Sequence, residues 1–417
     1  MTHVPDSEPS EIDGASEGRA TRVGRRQSLL LVILGASASL LNGLFSIVFL
    51  RLSGVVHYAE LSPLLAFSSV ASASSNGIEY ALTAEIARTM TLERVPRVTA
   101  SIFASLIPLL ALTPLLQHEL GYQSIVPLVL AALLFVVTFA QAVPNAVLLA
   151  FGSLWTLGIV AIGEALIRLA VFIPLAHRQP VYSGMAISIG VTFVGGALML
   201  VLAFRKGPQR ELPSRLLPPT NDRKLVKTSV GLLFYLPYTL PVWLAKAGLP
   251  LAVVPRVSVS CLLVSGSLLL VAPVTSAAIP FAVRQDGTRT VRHAQRIAFG
   301  LSALGSIALV FVGPRAISLI APHSVGNLLG QLVPFAFAAP FWAIFMFSAW
   351  IHMTRGASGR TYLVALLCGV VAQCALGSTS DAFAGVAWGP AVNLAVTFTV
   401  LLFAMVRASL IRRLQRH

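Results

Sequence analysis

The sequence is built from long apolar stretches, each about 20 residues in length, that are separated by short polar connections. About 20 apolar residues is the length that an α-helix needs to cross the hydrocarbon core of a bilayer. Only 11% of the residues are charged and the mean hydropathy is +0.83, whereas a soluble domain carries roughly a quarter charged residues. The pattern therefore predicts an all-α, polytopic membrane protein.

Twelve stretches are long enough to span a membrane. We place them at residues 29–50, 62–84, 98–116, 124–146, 153–176, 183–204, 228–248, 258–282, 294–313, 326–350, 361–379 and 384–406. The second stretch is unusually polar, and its Ser69, Ser72 and Asn76 would be unsatisfied against lipid. We therefore expect these three residues to line a wet central cavity.

The formal net charge is +15, from 30 Lys and Arg against 15 Asp and Glu. Most basic residues lie in alternate connections between the predicted spans. Such residues gather on the cytoplasmic side of membrane proteins, so the alternation predicts a multi-pass protein of the cell membrane with both termini in the cytoplasm. It accounts for the charge without a nucleic-acid partner, and it predicts contact with anionic lipids.

The longest polar connection divides the chain into two halves of six spans, each starting and ending inside. This division predicts the following organisation: a disordered cytoplasmic tail at 1–27, an N-terminal six-helix lobe at 28–204, a basic cytoplasmic linker at 205–227, a C-terminal six-helix lobe at 228–406 and a basic cytoplasmic tail at 407–417. Two halves with the same orientation are compatible with parallel internal repeats, as in many transporters.

Sequence motifs of common enzymes are missing from the chain. It contains no P-loop, no HExxH, no GxSxG and no paired CxxC. Its three cysteines, Cys261, Cys368 and Cys374, lie in apolar runs without metal-ligand spacing. We therefore expect no enzymatic activity, no metal site and no cofactor.

Charged residues inside the predicted spans are the strongest candidates for function, since each costs about 2.5–3.5 kcal/mol to insert. Glu164 and Arg168 are four residues apart, so they share a helix face. They could form an internal ion pair, or Arg168 could bind substrate while Glu164 lines the cavity. Lys246 lies in a proline-rich stretch and could either snorkel to the outer surface or face a cavity.

Arg51 and Arg256 hold matching positions at the outer ends of the first and seventh predicted spans. Each could be an interfacial anchor or part of a functional site. Amide side chains inside the spans are expected to form hydrogen bonds between helices. These are Asn42, Asn76, Gln141, Asn145, Gln331, Gln373 and Asn393.

The segment at residues 49–88, FLRLSGVVHYAELSPLLAFSSVASASSNGIEYALTAEIAR, resembles the polysaccharide flippases of the multidrug/oligosaccharidyl-lipid/polysaccharide superfamily. The residues that carry the resemblance are Arg51, Leu52, Tyr58, Ala81, Leu82, Ala87 and Arg88. The resemblance implies two six-helix lobes that form a V around a central cavity. It further implies that the lobes rock to carry a lipid-linked sugar from the inner to the outer leaflet.

The function that this resemblance implies is a flippase for a polyprenyl-pyrophosphate-linked oligosaccharide in cell-surface polysaccharide biosynthesis, with the proteins of that process as possible partners. A pyrophosphate needs cations to replace its hydration, and an Arg side chain can contact two phosphate oxygens. Arg51, Arg168, Lys246 and Arg256 are the candidate substrate-binding residues. Two alternatives remain open: a major-facilitator-like carrier of small solutes, and a membrane scaffold without transport activity.

Overall fold

The computed structural model of the chain describes residues 12–414, apart from 90–91, 152, 207–223, 251–252, 270, 283–287, 321–328, 356, 358 and 378–381. Regular secondary structure in this part of the chain is entirely helical. The helices are α1 (Ile12–Thr89), α2 (Val95–Ala104), α3 (Leu106–Leu120), α4 (Val126–Ala140), α5 (Ala142–Ala150), α6 (Leu154–Leu175), α7 (Pro180–Lys206), α8 (Lys224–Gly248), α9 (Val254–Leu269), α10 (Val271–Ala282), α11 (Thr288–Ile320), α12 (Leu329–Thr354), α13 (Gly359–Gly377) and α14 (Ala382–Leu414).

Helix α1 is broken at Gly54, whose backbone has φ 82° and ψ 172°. A positive φ of this kind favours glycine, because it has no side chain to clash with the backbone. The apolar part of α1, Ile33–Thr83, has 51 residues, which would extend roughly 75 Å as one straight helix. The break therefore divides it into two membrane crossings, α1a (residues 12–53) and α1b (residues 55–89).

The predicted twelve crossings are confirmed. Among the described residues, ten helices are long and apolar enough to span a membrane, and Val254–Val264 is a shorter apolar helix. Since the first of the ten contains both α1a and α1b, the total is twelve. Three crossings are interrupted helices, formed by α2 with α3, α4 with α5, and α9 with α10.

The crossings pack into two groups of six. In the N-terminal lobe, α1 packs on α4, α5 and α6, and α7 packs on α4 and α6. In the C-terminal lobe, α8 packs on α13 and α14, and α12 packs on α9, α11 and α14. Large apolar side chains on the outer faces are exposed, such as Phe311 and Phe403, as expected for surfaces that contact lipid.

The disordered tail predicted at 1–27 stays a prediction, although a described helix begins within this segment. Residues 1–11 lie outside the described part, but α1 already begins at Ile12. Once a helix has nucleated, each added residue gains a hydrogen bond for one residue fixed. The first crossing can therefore extend its helix into the polar segment before it. At the other end, α14 likewise continues to Leu414, into the predicted basic tail.

Candidate functional site

A partly buried polar cluster connects four crossings of the N-terminal lobe. Arg168 of α6 donates from Nη1 to Asn42 Oδ1 of α1a at 3.0 Å, and from Nη2 to Thr192 Oγ1 of α7 at 3.2 Å. Gln141, at the interruption between α4 and α5, donates from Nε2 to Glu164 Oε1 at 2.8 Å and to the Thr192 carbonyl at 3.0 Å. One cation and one carboxylate are thus held by neutral partners in the lobe interior.

Glu164 and Arg168 share a helix face as predicted, yet no ion pair joins these two described residues. Arg168 instead donates to Asn42 of α1a and Thr192 of α7. Glu164 accepts a hydrogen bond from Gln141, at the end of α4. The Nε atom of Arg168 is buried and has no hydrogen-bond partner among the described residues, and its guanidinium lies 5.8 Å from the Phe45 ring centroid. Arg168 therefore keeps one donor that a ligand or water could use.

A second buried carboxylate lies on α1b. Glu79 is only 5% exposed, and it accepts a hydrogen bond from Asn145 Nδ2 of α5 at 3.0 Å. Asn145 and Gln141 are one helical turn apart, so neighbouring amides of the same crossing each hold one carboxylate. Both amides form hydrogen bonds between helices, as predicted, whereas Glu79 was not among the predicted site residues.

The C-terminal lobe carries a chain of uncharged polar groups. Thr397 Oγ1 donates to Asn393 Oδ1 at 3.2 Å, Asn393 Nδ2 donates to Gln373 Oε1 at 2.9 Å, and Gln373 Nε2 donates to the Pro237 carbonyl at 2.9 Å. Arg168 and Thr192 are 24 residues apart, and Gln373 and Thr397 have the same separation. The two lobes thus hold related polar positions, but only the N-terminal copy is charged.

Lys246 lies at the boundary between the lobes, where its ammonium contacts the Tyr122 ring at 5.2 Å from the centroid. Tyr122 follows α3 in the N-terminal lobe and donates its hydroxyl proton to the Glu60 carbonyl at 2.7 Å. Burial, together with the Glu60 carboxylate, raises the pKa of the Tyr122 phenol well above its ordinary value. The hydroxyl therefore keeps its proton, and its hydrogen bond to Glu60 holds the Tyr122 ring in place. Through its contact with this ring, Lys246 links the C-terminal lobe to the N-terminal lobe.

The four predicted cations share no contact partner among the described residues. Arg51 is exposed, and Arg256 is half-buried with an Nε atom that is buried and unpaired. Arg168 contacts the interior of the N-terminal lobe and Lys246 contacts the lobe boundary. A common pyrophosphate site that includes all four remains a prediction.

The three polar residues predicted to line a cavity lie on one strip of α1b. Ser69 and Ser72 are exposed and Asn76 is half-buried. On one side of this strip, Ser68 contacts Thr138 of α4 at 3.4 Å. On the other, Tyr80 contacts Ser276 of α10 (3.1 Å). Successive residues of an α-helix are rotated by roughly 100° about the helix axis, which places Ser68 and Tyr80 on opposite sides of the strip. The strip therefore lies between a helix of each lobe.

Contacts between the lobes are found near both ends of α1b. Ser62 Oγ donates to Ser258 Oγ at 2.8 Å and Tyr80 contacts Ser276, and both pairs are separated by 196 residues in sequence. An equal separation at two levels means that α1b runs parallel to α9 and α10 along the boundary. Close to the Ser62–Ser258 level lies a small cavity of about 10 Å³ that is lined by Ser46, Tyr58 and apolar side chains, which is room for about one water molecule.

No protein-family model matches the sequence, and no curated protein is significantly similar to it. Solved structures of MATE transporters are similar in fold. The eukaryotic MATE transporter AtDTX14 is 17% identical, with a TM-score of 0.69 over 93% of this chain and 96% of that one. A MATE protein in complex with MaD3S is 14% identical, with a TM-score of 0.65 over 94% and 97% of the two chains.

An outward-facing "multidrug resistance MATE family transporter of the MOP superfamily" is 13% identical, with a TM-score of 0.61 over 94% of this chain and 97% of that one. At these identities the similarity establishes the fold. The chain therefore has the two-lobed, twelve-helix fold that is seen in solved MATE transporters.

Proposed function

We propose that the chain is a membrane transporter that works by alternating access, with its two lobes rocking about the boundary formed by α1b, α8, α9 and α10. The observation that carries this proposal is the fold, which spans nearly the whole chain and is shared with transporters. The layout of the lobe contacts supports it. They combine packing of α1 on α8, α9 and α10 with hydrogen bonds and ring contacts at two separate levels, and rocking would break the contacts of one level while those of the other persist.

We further propose that the substrate is an anionic, lipid-linked molecule, with a polyprenyl-pyrophosphate-linked oligosaccharide as the specific candidate. Arg168 supports this choice because its half-buried guanidinium has neutral partners and its buried Nε donor is unpaired. A guanidinium with a spare donor favours a phosphate oxygen over a cation. The half-buried Arg256 also has a buried, unpaired Nε atom.

The experiment is a flipping assay in proteoliposomes with a polyprenyl-pyrophosphate oligosaccharide whose sugar is fluorescent. The readout is the fraction of the sugar that a membrane-impermeant quencher reaches over time. We expect Arg168→Ala to reduce flipping by about tenfold or more, because hydrogen bonds to charged groups contribute about 1.5–3 kcal/mol. Arg168→Lys should restore the rate only in part, since an ammonium lacks the planar fork.

Arg315→Ala is the matched control, because this arginine of α11 is exposed. All variants are compared at equal amounts of folded protein, since Arg168 also ties three helices together. Normal flipping by Arg168→Ala at normal abundance would refute the anion site. Transport of small solutes by the wild-type protein, without flipping, would favour the small-solute carrier instead.

A further inference from the structure

The Glu79–Asn145 pair is electrostatically incomplete. Glu79 is 5% exposed and its one hydrogen bond in the described contacts comes from a neutral amide, Asn145 Nδ2. The other end of the same amide, Asn145 Oδ1, is buried and has no partner. An ionised Glu79 would therefore leave a negative charge and a carbonyl acceptor side by side in the membrane, without a cation.

One proton would satisfy both groups. A protonated carboxyl gains an O–H donor and keeps a carbonyl acceptor, which complements an amide that has an N–H₂ donor and a carbonyl acceptor. The amide donor is already in place at 3.0 Å, and the amide oxygen is the unpaired acceptor. Carboxylic acid and amide can then form two hydrogen bonds with no charge left over.

The pair adjoins the level where the lobes meet at the end of α1b. Tyr80, the next residue, contacts Ser276 at 3.1 Å and lies edge-on to the Trp350 ring at 5.1 Å. One turn after Asn145, Leu149 packs against Ala277 of α10. We call this set of contacts the inner contact. It consists of Tyr80 against Ser276 and Trp350, and of Leu149 against Ala277.

We propose that Glu79 and Asn145 form a proton-binding site that holds the inner contact closed. Opening the lobes at this level admits water to Glu79, and hydration lets the carboxylate lose its proton. Because burial disfavours the charged form, the closed state binds the proton more tightly than the open state. Proton binding therefore stabilises the closed state by linkage, and a rise in pH shifts the population toward opening.

Few other titratable groups face the pair. Tyr80 adjoins Glu79 on α1b, and the Tyr235 phenol of α8 faces Tyr80. The neighbouring groups of α5 and α10 are the uncharged Asn145 and Ser276. Glu85, farther along α1b, is paired with Arg94 at 2.8 Å. Glu79 is thus the carboxyl group at this level whose ionisation would change most between a closed and a hydrated state.

The first test measures the proton itself, in the full-length protein reconstituted in lipid. Infrared difference spectra between acid and alkaline pH should contain a C=O stretch from a protonated carboxylic acid. Glu79→Gln should remove this band and Glu164→Gln should leave it in place. Asn145→Leu should shift it, because the amide partner is lost. Absence of any band sensitive to Glu79→Gln would overturn the proposal.

The second test measures the inner contact, in a background with Cys261, Cys368 and Cys374 replaced by alanine. A short bifunctional thiol reagent should cross-link Leu149→Cys to Ala277→Cys across the closed contact. Glu79→Gln imitates the protonated acid at every pH, and it therefore supplies the reference rate, because the thiolate that reacts becomes more abundant as pH rises in every variant. Divided by this reference rate, the rate of the protein that retains Glu79 should fall as pH rises. Glu119→Gln, at an exposed glutamate near the end of α3, should retain the dependence.

A cross-linking rate that has the same pH dependence with Glu79 as with Glu79→Gln would overturn the proposal. The proposal would also be overturned if the cross-linking rate depended on sodium concentration at constant pH and lost this dependence in Glu79→Gln. The ligand of Glu79 would then be a metal cation and not a proton. The proposal rests on the movement of the lobes proposed above but not on the substrate. The infrared band depends on neither, so failure of transport and failure of the proton site can be told apart.

Discussion

Gly195 shows how closely the charged cluster is packed around Glu164. A Cβ atom at this position of α7 would collide with the Glu164 carboxylate. The carboxylate is held there by Gln141, so the Glu164 side chain would have to give up this hydrogen bond to make room for the Cβ atom. Gly195 thus leaves space for the Glu164–Gln141 contact, and its backbone conformation is ordinary.

We expect Gly195→Ala to lower the free energy of unfolding by about 1–3 kcal/mol, the usual range for overpacking in a tight interior. The matched control is Gly190→Ala on the same helix, where a Cβ would meet nothing within 4 Å. The measurement is reversible unfolding in mixed micelles. Equal stability of the two variants would contradict this arrangement of Glu164.

At the same scale, the sequence was sufficient to place Glu164 and Arg168 on one helix face, since four residues make about one turn. It could not identify their partners. Arg168 binds Asn42 and Thr192, which are 126 and 24 residues away in the chain. Such pairings depend on which helices are neighbours, and hydropathy carries no information on that.

At the scale of elements, α8 lacks a backbone hydrogen bond because of a proline, and a side chain of α13 supplies the missing donor. Pro241 has no N–H group, so the Pro237 carbonyl one turn earlier lacks its helical donor. Gln373 of α13 supplies that donor at 2.9 Å, and Asn393 of α14 holds Gln373 in place. Three helices of the C-terminal lobe are therefore tied together at a backbone defect.

This arrangement predicts a non-additive double-mutant cycle. Gln373→Leu should destabilise the protein by about 1–3 kcal/mol, because it leaves the Pro237 carbonyl and the Asn393 amide unpaired. In a Pro241→Ala background the restored N–H can pair with Pro237, so the same change should be milder by about 1 kcal/mol. Thr399→Val is the control, since Thr399 bonds only within its own helix and is exposed. Strict additivity would contradict the role of Gln373.

The elements themselves were largely predictable. A crossing needs about 20 apolar residues, and α6 (Leu154–Leu175) differs by one residue at each end from the predicted 153–176. The break at Gly54 lies in the predicted connection between the first two spans, whereas the interruption at Gln141 was not predicted, because it changes the helix direction without changing hydropathy. Charge alternation concerns orientation relative to the bilayer, so the cytoplasmic location of both termini stays a prediction.

At the scale of the whole molecule, the lobes are closed against each other at both levels of α1b. We call the contacts away from the inner contact the outer contact; it consists of Ser62 with Ser258, Lys246 with Tyr122, and Trp243 with α1b. The Trp243 indole donates to the Pro63 carbonyl at 3.0 Å, and its ring lies 4.7 Å from that of Phe67. Alternating access requires this contact to break while the inner contact persists.

We therefore expect Trp243→Ala to favour the state that is open at the outer contact. Loss of one hydrogen bond, at about 0.5–1.5 kcal/mol, and of one aromatic pair, at about 0.5–1.5 kcal/mol, should shift the population by about tenfold. The measurement is the rate at which a membrane-impermeant thiol reagent modifies Ser258→Cys, in the background without native cysteines. Trp388→Ala is the matched control, because this tryptophan of α14 is 50% exposed and should leave the rate unchanged. Faster modification in Trp243→Ala alone would support a movable outer contact, whereas equal rates in both variants would mean that Trp243 does not hold the lobes together. The same cysteine also tests the predicted orientation, because the reagent should reach it from outside the cell.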